Sequence, residues 1–375
     1  MLDPDEAERV GDEGAEAGRE LEAALLAIVA SELSRADLAA PYASALSLKL
    51  RIDRAVASAA PKLSEAVKRD IVGAVVLGAA RDAKDAADGA TIVEGVVSDA
   101  VSVARTLAVD ASAAASEAAR MMGDNARAEY VKAVSRIGLR VRGGEAHRDA
   151  MADEIGRLAE RGISYTSYVR RDGATVNVPI DVGLRRNARS VALDELGKQT
   201  LRIAEASGAE YVEVSSHPGA RESHAAWQGR VYMLHGSSPG HPNYYEACRV
   251  GDPVNGIGGY NCNHMVRIYR LGEKRRWGGD PLEGTGYDDE QVRELRGEQR
   301  RIENDIRKLK RKGAALRAAG IDDSEARKAV RAKQARLRGL VSEHGEVLHR
   351  DRWRESIYER AVKEAWGVVP GDPVL

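Results

Sequence analysis

The chain has 375 residues, enough for two or three domains with an ample core. Its 57 Lys and Arg oppose 58 Asp and Glu, and the net charge of −1 excludes recruitment of a partner by a global field. Two cysteines, Cys248 and Cys262, cannot form a disulfide framework and fit a reducing cytoplasm or a particle assembled there.

The first twenty residues, MLDPDEAERVGDEGAEAGRE, are acidic, unlike a secretory or transit peptide. The longest apolar run, IVGAVVLGAA at 71–80, is half of the roughly 20 residues that a membrane span requires. A soluble protein with no membrane partner is expected. Phenylalanine is absent and alanine abundant, which predicts helices packed closely through small side chains.

Residues 1–160 read as an alanine-rich helical bundle, a docking domain without chemistry of its own. GRELEAALLAIVASELSRA places Leu21, Leu25, Ile28, Val29 and Leu33 on one helical face. Pro41 and Pro61 mark expected helix starts. A long helix is expected from Thr91 to Met122, its apolar content being Ile92, Val93, Val96, Val97, Val101, Val103, Leu107 and Val109.

The texture changes near residue 160, and 161–275 reads as a small, loop-rich α+β domain. Gly162 ends a helix; Tyr165–Val169 and Thr175–Val178 flank an Asp172-Gly173 turn suited to a hairpin. A helix follows over Val182–Ala206, with Gly208 just past its end. AEYVEVSS alternates as a half-buried strand would, and GRVYMLHG and HMVRIYRLG supply two more strands.

Beyond a glycine-rich linker at 278–290, residues 288–368 read as a charged antiparallel helical hairpin. Val292, Leu295, Gln299, Ile302, Ile306, Leu309, Gly313 and Leu316 form a coiled-coil seam. Gly320 and Asp322–Ser324 break it, and Val330, Leu337, Leu340 and Val347 form the return face. Between Ile306 and Arg338, twelve Lys or Arg face three acids, a local charge of +9. Arg307, Lys308, Lys310, Arg311, Lys312, Arg327, Lys328, Arg331, Lys333, Arg336 and Arg338 are therefore candidates for contact with nucleic acid. A solvated or protein-docking face is the competing reading. Deleting 288–366 is expected to leave the central domain folded.

Two loops hold the unusual chemistry, SSHPGARESHAAWQGRVYMLHG at 215–236 and GIGGYNCNHMV at 256–266. His217, His224, Cys262 and His264 could make a tetrahedral zinc site, although their spacing matches no common zinc module. Cys262 could be a nucleophile, with a histidine as base and Asn261 or Gln228 orienting it. The third reading, a structural polar knot without cofactor, is favoured. In it Arg221 ties loop carbonyls or a carboxylate such as Glu213, histidine and glutamine satisfy buried backbone groups, and Trp227 fills the core with its indole N–H free to bond.

VEVSSHPGARESHAAWQGRVY followed by GIGGYNCNH resembles the signature of the phage minor capsid protein 2 family, related to phage head-morphogenesis proteins. GISYTSYVRRDG and LRRNARSVALDELGKQ are similar to that family's leading hairpin and the helix after it. By resemblance, its marked positions are Ser216, His217, Arg221, His224, Trp227, Gln228, Gly229, Asn261, Cys262 and His264. Asn263 departs from the pattern, standing where an arginine is expected. The resemblance implies a non-enzymatic structural protein of a tailed-phage head, located in the virion and, during assembly, in the host cytoplasm. Its implied partners are the portal or major capsid protein, packaged double-stranded DNA, and further copies joined through helical segments. The alternatives are a metal-dependent hydrolase or nuclease centred on the histidines and cysteine, and a DNA-binding virion protein.

Overall fold

The computed structural model describes residues 1–36, 43–86, 90–170, 172–259 and 262–357. Pro41, Arg171, Asn261 and the end of the charged segment, 358–368, lie outside the described residues, as do the side chains of Ile92, Val93, Val96 and Val97. The fold is mostly helical α+β. Five helices come first: α1 (Pro4–Arg9), α2 (Asp12–Arg35), α3 (Ala43–Asp85), α4 (Ala90–Arg142) and α5 (His147–Arg161). The hairpin β1 (Ser164–Val169) and β2 (Thr175–Pro179) precedes α6 (Ile180–Ala206). Three short strands, β3 (Tyr211–Val214), β4 (Val231–Met233) and β5 (Val266–Tyr269), alternate with the one-turn helices α7 (Glu222–Ala225) and α8 (Tyr244–Ala247). The charged helices α9 (Asp289–Ala318) and α10 (Ser324–Glu343) follow. Among the described residues, no helix is long and apolar enough to cross a membrane.

The chain forms two compact units. The first takes Met1–Gly14, Glu65–Ala113 and Leu184–Gly297; the second takes Ala15–Ser64, Ala114–Gly183 and the chain from Glu298 onward.

In the first unit the three strands form an antiparallel sheet in the order β4-β3-β5, with Val212 opposite both Tyr232 and Ile268. Val212, Val214, Val266 and Ile268 pack with Trp227, Tyr232, Tyr244, Cys248 and Trp277, and with Leu196 and Ile203 of α6. The expected half-buried alternation of β3 is replaced by burial of both faces, because Glu213 is also fully covered. Its carboxylate accepts from Arg267 Nε at 2.8 Å and from the backbone N–H groups of Arg276 and Trp277 at 2.9 Å each.

Alanine lines the buried stripe of α4. Ala100, Ala104, Ala108, Ala111, Ala115, Ala119, Met122, Ala126, Tyr130, Ala133 and Ile137 are buried, at steps of four, four and three. Those steps sum to an eleven-residue repeat, about 3.67 residues per turn, close to the 3.6 of an α-helix, so these residues share one face. The larger apolar residues lie beside this stripe: Val101, Val103 and Leu107 are half-buried, and Val109 is 58% exposed. Small side chains let neighbouring backbones approach, so the larger valines flank the contact.

Pro61 lies inside the continuous α3 instead of starting a helix. Proline frees the carbonyl four residues back, here Ala57; both residues are exposed, so water can satisfy that carbonyl.

In the second unit β1 and β2 pair through Val169 opposite Thr175 and Tyr168 opposite Val176. Gly173, at φ +81°, makes the turn, and the Asp172 carboxylate accepts the Ala174 N–H at 3.0 Å. Helices α9 and α10 form an antiparallel hairpin. Ile302 and Ile306 pack on Leu337, flanked by Val330, Leu340 and Val341. Gln299, Gly313 and Leu316 of the expected seam are buried and Leu309 is half-buried, whereas Val292 falls in the first unit. A Cβ on Gly313 would meet Asp323 Oδ2 at 3.4 Å and Ala326 Cβ at 3.6 Å, so this position brings the start of α10 close against α9.

Candidate functional site

The two motif loops meet at the end of the three-stranded sheet. Ser215, just past β3, and Met265, just before β5, lock reciprocally: the Ser215 N–H donates to the Met265 carbonyl, and the Met265 N–H donates to Ser215 Oγ, both at 2.8 Å. This clamp sets the first loop beside Cys262 and His264. Gly229 stands at φ +64°, where a Cβ would lie 3.1 Å from the Trp277 carbonyl oxygen; Ser216 Oγ donates to the same carbonyl at 3.1 Å.

Within the clamp lie four rings. His217 and His264 have centroids 4.3 Å apart, while Trp227 lies 4.6 Å from both His224 and His264. Ligand atoms of His224, Cys262 and His264 all fall within 4.8 Å of one another. All three residues are buried, at 2%, 8% and 5% exposure. His217 is half-buried and outside that set.

Hydrogen bonds fix where the ring protons sit. Gln228 Oε1 accepts the His217 backbone N–H at 3.1 Å, so the amide oxygen points inward. The same oxygen lies 3.0 Å from His264 Nε2, which must therefore be the protonated nitrogen. The lone pair of His264 Nδ1 then faces Cys262 Sγ at 3.6 Å. His224 Nε2 is buried without a partner among the described residues. His217 Nδ1 lies 3.2 Å from the Pro218 carbonyl oxygen, and its Nε2 is likewise unpartnered. His264 thus turns a lone pair toward Cys262.

Burial pushes all three histidines down, His224 to about 4 and His264 well below the ordinary histidine range, with the Arg221 charge adding to both. They are neutral at physiological pH. Burial also raises the Cys262 thiol, which therefore lacks the thiolate character of a nucleophilic cysteine.

Arg221 donates to the Val254 carbonyl at 2.7 Å. The carboxylate suggested for it, Glu213, is taken instead by Arg267 of the neighbouring strand. The indole N–H of Trp227 and Oδ1 of Asn263 are buried with no partner among the described residues.

Residues outside both motifs hold the first loop. Asp289 Oδ1 accepts the N–H groups of Gly219 and Ala220 at 2.7 and 3.2 Å, Arg296 donates to the Pro218 carbonyl at 2.8 Å, and Arg293 to that of Ala220. In sequence Asp289 reads as part of the linker, and Arg293 and Arg296 as ordinary charges of the helical hairpin. A deletion beginning at residue 288 would remove all three and with them these bonds to the first loop.

The basic hairpin is less free than its local charge suggests. Arg311 pairs with Glu22 at 3.1 Å, Lys312 with Glu160 at 2.7 Å, Lys333 with Asp305 at 2.6 Å, Arg336 with Glu298 at 2.7 Å and Arg327 with Asp323 at 3.1 Å. Arg307 donates to the Arg354 carbonyl and to Asn304, and Lys310 is also engaged. Lys308, Lys328, Arg331 and Arg338 are exposed and make no ion pair among the described residues.

Comparison with known proteins gives one family: the profile of phage minor capsid protein 2 matches residues 23–342. No curated protein and no solved structure matches the chain.

Proposed function

This chain belongs to the phage minor capsid protein 2 family, structural proteins of the phage particle, and we propose that it is a non-enzymatic head component seated on the portal or the inner face of the major capsid shell. Burial is the observation that carries the non-catalytic part. His224, Cys262 and His264 are each under a tenth exposed, and a substrate needs its reacting groups accessible. The helices support the docking part. Leu46 and Leu50, one turn apart on α3, are 66% and 58% exposed, and Val131 and Leu139 on α4 are 60% and 62% exposed. Apolar residues of this kind suit coverage by a capsid subunit or another copy of the chain.

Packaged DNA is the further partner in this reading, confined to Lys308 and the Lys328, Arg331 and Arg338 face of α10, since most other candidate cations bind the protein's own acceptors. Cross-linking of purified heads, read by mass spectrometry, tests the proposal. Cross-links from Lys49, Lys62 or Lys132 to portal or major capsid subunits are expected. Charge reversal of Lys328, Arg331 and Arg338 to Glu should lower DNA retention while leaving the protein's copy number unchanged. Absence of the protein from purified particles, or cleavage of a phosphodiester or peptide that disappears in Cys262→Ala, overturns the reading.

A further inference from the structure

We propose that His224, Cys262 and His264 bind one zinc ion, which staples the loop around residues 215–229 to the segment leading into β5. This departs from the expectation of no cofactor, and it stands whether or not the protein docks on the portal. The argument begins with distance. In a tetrahedral zinc site, metal–sulfur and metal–nitrogen bonds of about 2.3 and 2.05 Å place the two donor atoms about 3.6 Å apart. Cys262 Sγ and His264 Nδ1 are separated by 3.6 Å. The widest separation in the donor set is under 4.8 Å, so closure on an ion requires shifts of about 1 Å, within reach of small side-chain rotations.

Donor orientation is the second, independent observation. The proton of His264 is held on Nε2 by Gln228 Oε1, which leaves its Nδ1 lone pair facing Cys262 Sγ. Metal-binding histidines are oriented in this way, through the nitrogen that does not bind the metal. A thiol donating to His264 Nδ1 would satisfy that pair alone. It would leave His224 Nε2 buried beside them with no partner, whereas a cation satisfies all three donors at once. On binding, Cys262 releases its thiol proton to solvent, and the thiolate neutralises part of the ion's charge. His217, whose Nε2 is also unpartnered, adjoins His264 and can take the fourth position by rotating; otherwise water fills it. A cavity of about 350 Å³ lined by Gly258, Gly259 and His264 gives the ion a way in.

The full-length protein, stripped with a chelator, is to be titrated with zinc chloride and, separately, with cobalt chloride, with metal content read by mass spectrometry. One equivalent of zinc per chain is expected, a rise in melting temperature with zinc, and a cobalt–thiolate charge-transfer band. Cys262→Ser should abolish the band and weaken zinc binding at least tenfold. Gln228→Ala, a positioning residue, should weaken binding roughly 10- to 100-fold while keeping the band. His349→Ala, at a side chain 85% exposed, should change nothing. Natively folded wild-type protein that takes up no zinc overturns the proposal, as does Cys262→Ser binding zinc as tightly as wild type. The wild-type titration decides the matter even if a variant fails to fold.

Discussion

The loop knot around His224 and the hairpin of α9 and α10 both stand out in the sequence by composition, one for its histidines and the other for its unbalanced positive charge. In the knot, unusual residues mark an unusual environment. His224, His264 and Glu213 are buried, and the His264–Gln228 and Glu213–Trp277 bonds join groups 36 and 64 residues apart. In the hairpin the imbalance is largely local bookkeeping. Asp305 and Glu298 lie just outside the counted window, and Glu22 and Glu160 lie far from it, yet they pair with Lys333, Arg336, Arg311 and Lys312. Residue type predicts burial of a polar cluster better than a charge count predicts a free charged surface, because neutralising partners need not be neighbours in sequence.

The comparison is broken most forcefully at Glu213. Its carboxylate, fully buried, serves Arg267 and two backbone N–H groups. Glu213→Ala would leave those donors desolvated and the Arg267 guanidinium, 4% exposed, with Glu273 as its one carboxylate partner among the described residues. A loss of about 3–5 kcal/mol in unfolding free energy is expected from urea denaturation. A loss below about 1 kcal/mol would show the sheet's second face to be open to water, and the contrast with the hairpin would fall.

Much of this architecture is legible in the chain. Gly162, Gly173 and Gly208 end or turn the elements they were expected to, each at positive φ, and the three short strands lie where the β-branched and aromatic runs put them. The steps of three and four in α9, with the short break at Gly320 and Asp322–Ser324, imply the antiparallel hairpin in which Ile302 and Ile306 meet Leu337. The abundance of alanine points to close packing through small side chains, and the buried alanines of α4 follow an eleven-residue repeat. What the chain hides is its contact partners. Within the site, the histidines, Cys262 and Gln228 stand out by type. Asp289, Arg293 and Arg296, which hold the first loop, look like ordinary helix-surface charges and carry no local signal.

The hairpin has a buried carboxylate of its own, and it behaves differently from Glu213. Burial raises Glu303 above the usual carboxylate range, against the pull of Gln299 and of the Arg354 and Arg307 charges. Because the folded state holds this proton more tightly than the unfolded state, its contribution favours folding at low pH. That contribution erodes as pH rises through the folded pKa. Glu303→Gln keeps an acceptor for Gln299 Nε2 and removes the erosion. The variant should gain stability relative to wild type as pH rises from 4 to 8, by less than the Glu213→Ala loss. Unfolding curves at both pH values check this; a variant that loses ground at pH 8 would mean that the Glu303 charge is needed to hold Arg307 and Arg354.

The smallest effect belongs to the hairpin surface, where the contrast is sharpest. Lys333 and Asp305 are 35% and 40% exposed and 2.6 Å apart. Water competes for both groups, salt screens the pair, and holding two long side chains costs entropy, so such pairs contribute about 0–1 kcal/mol. Lys333→Ala should therefore shift unfolding by no more than about 0.5 kcal/mol, and the shift should shrink further at high salt. Ion pairs in the two regions would then differ several-fold in what one pair contributes, with exclusion of water as the variable that separates them. A loss above about 2 kcal/mol on Lys333→Ala would place the hairpin face in a drier environment than its exposure indicates, as coverage by a second copy of the chain would produce.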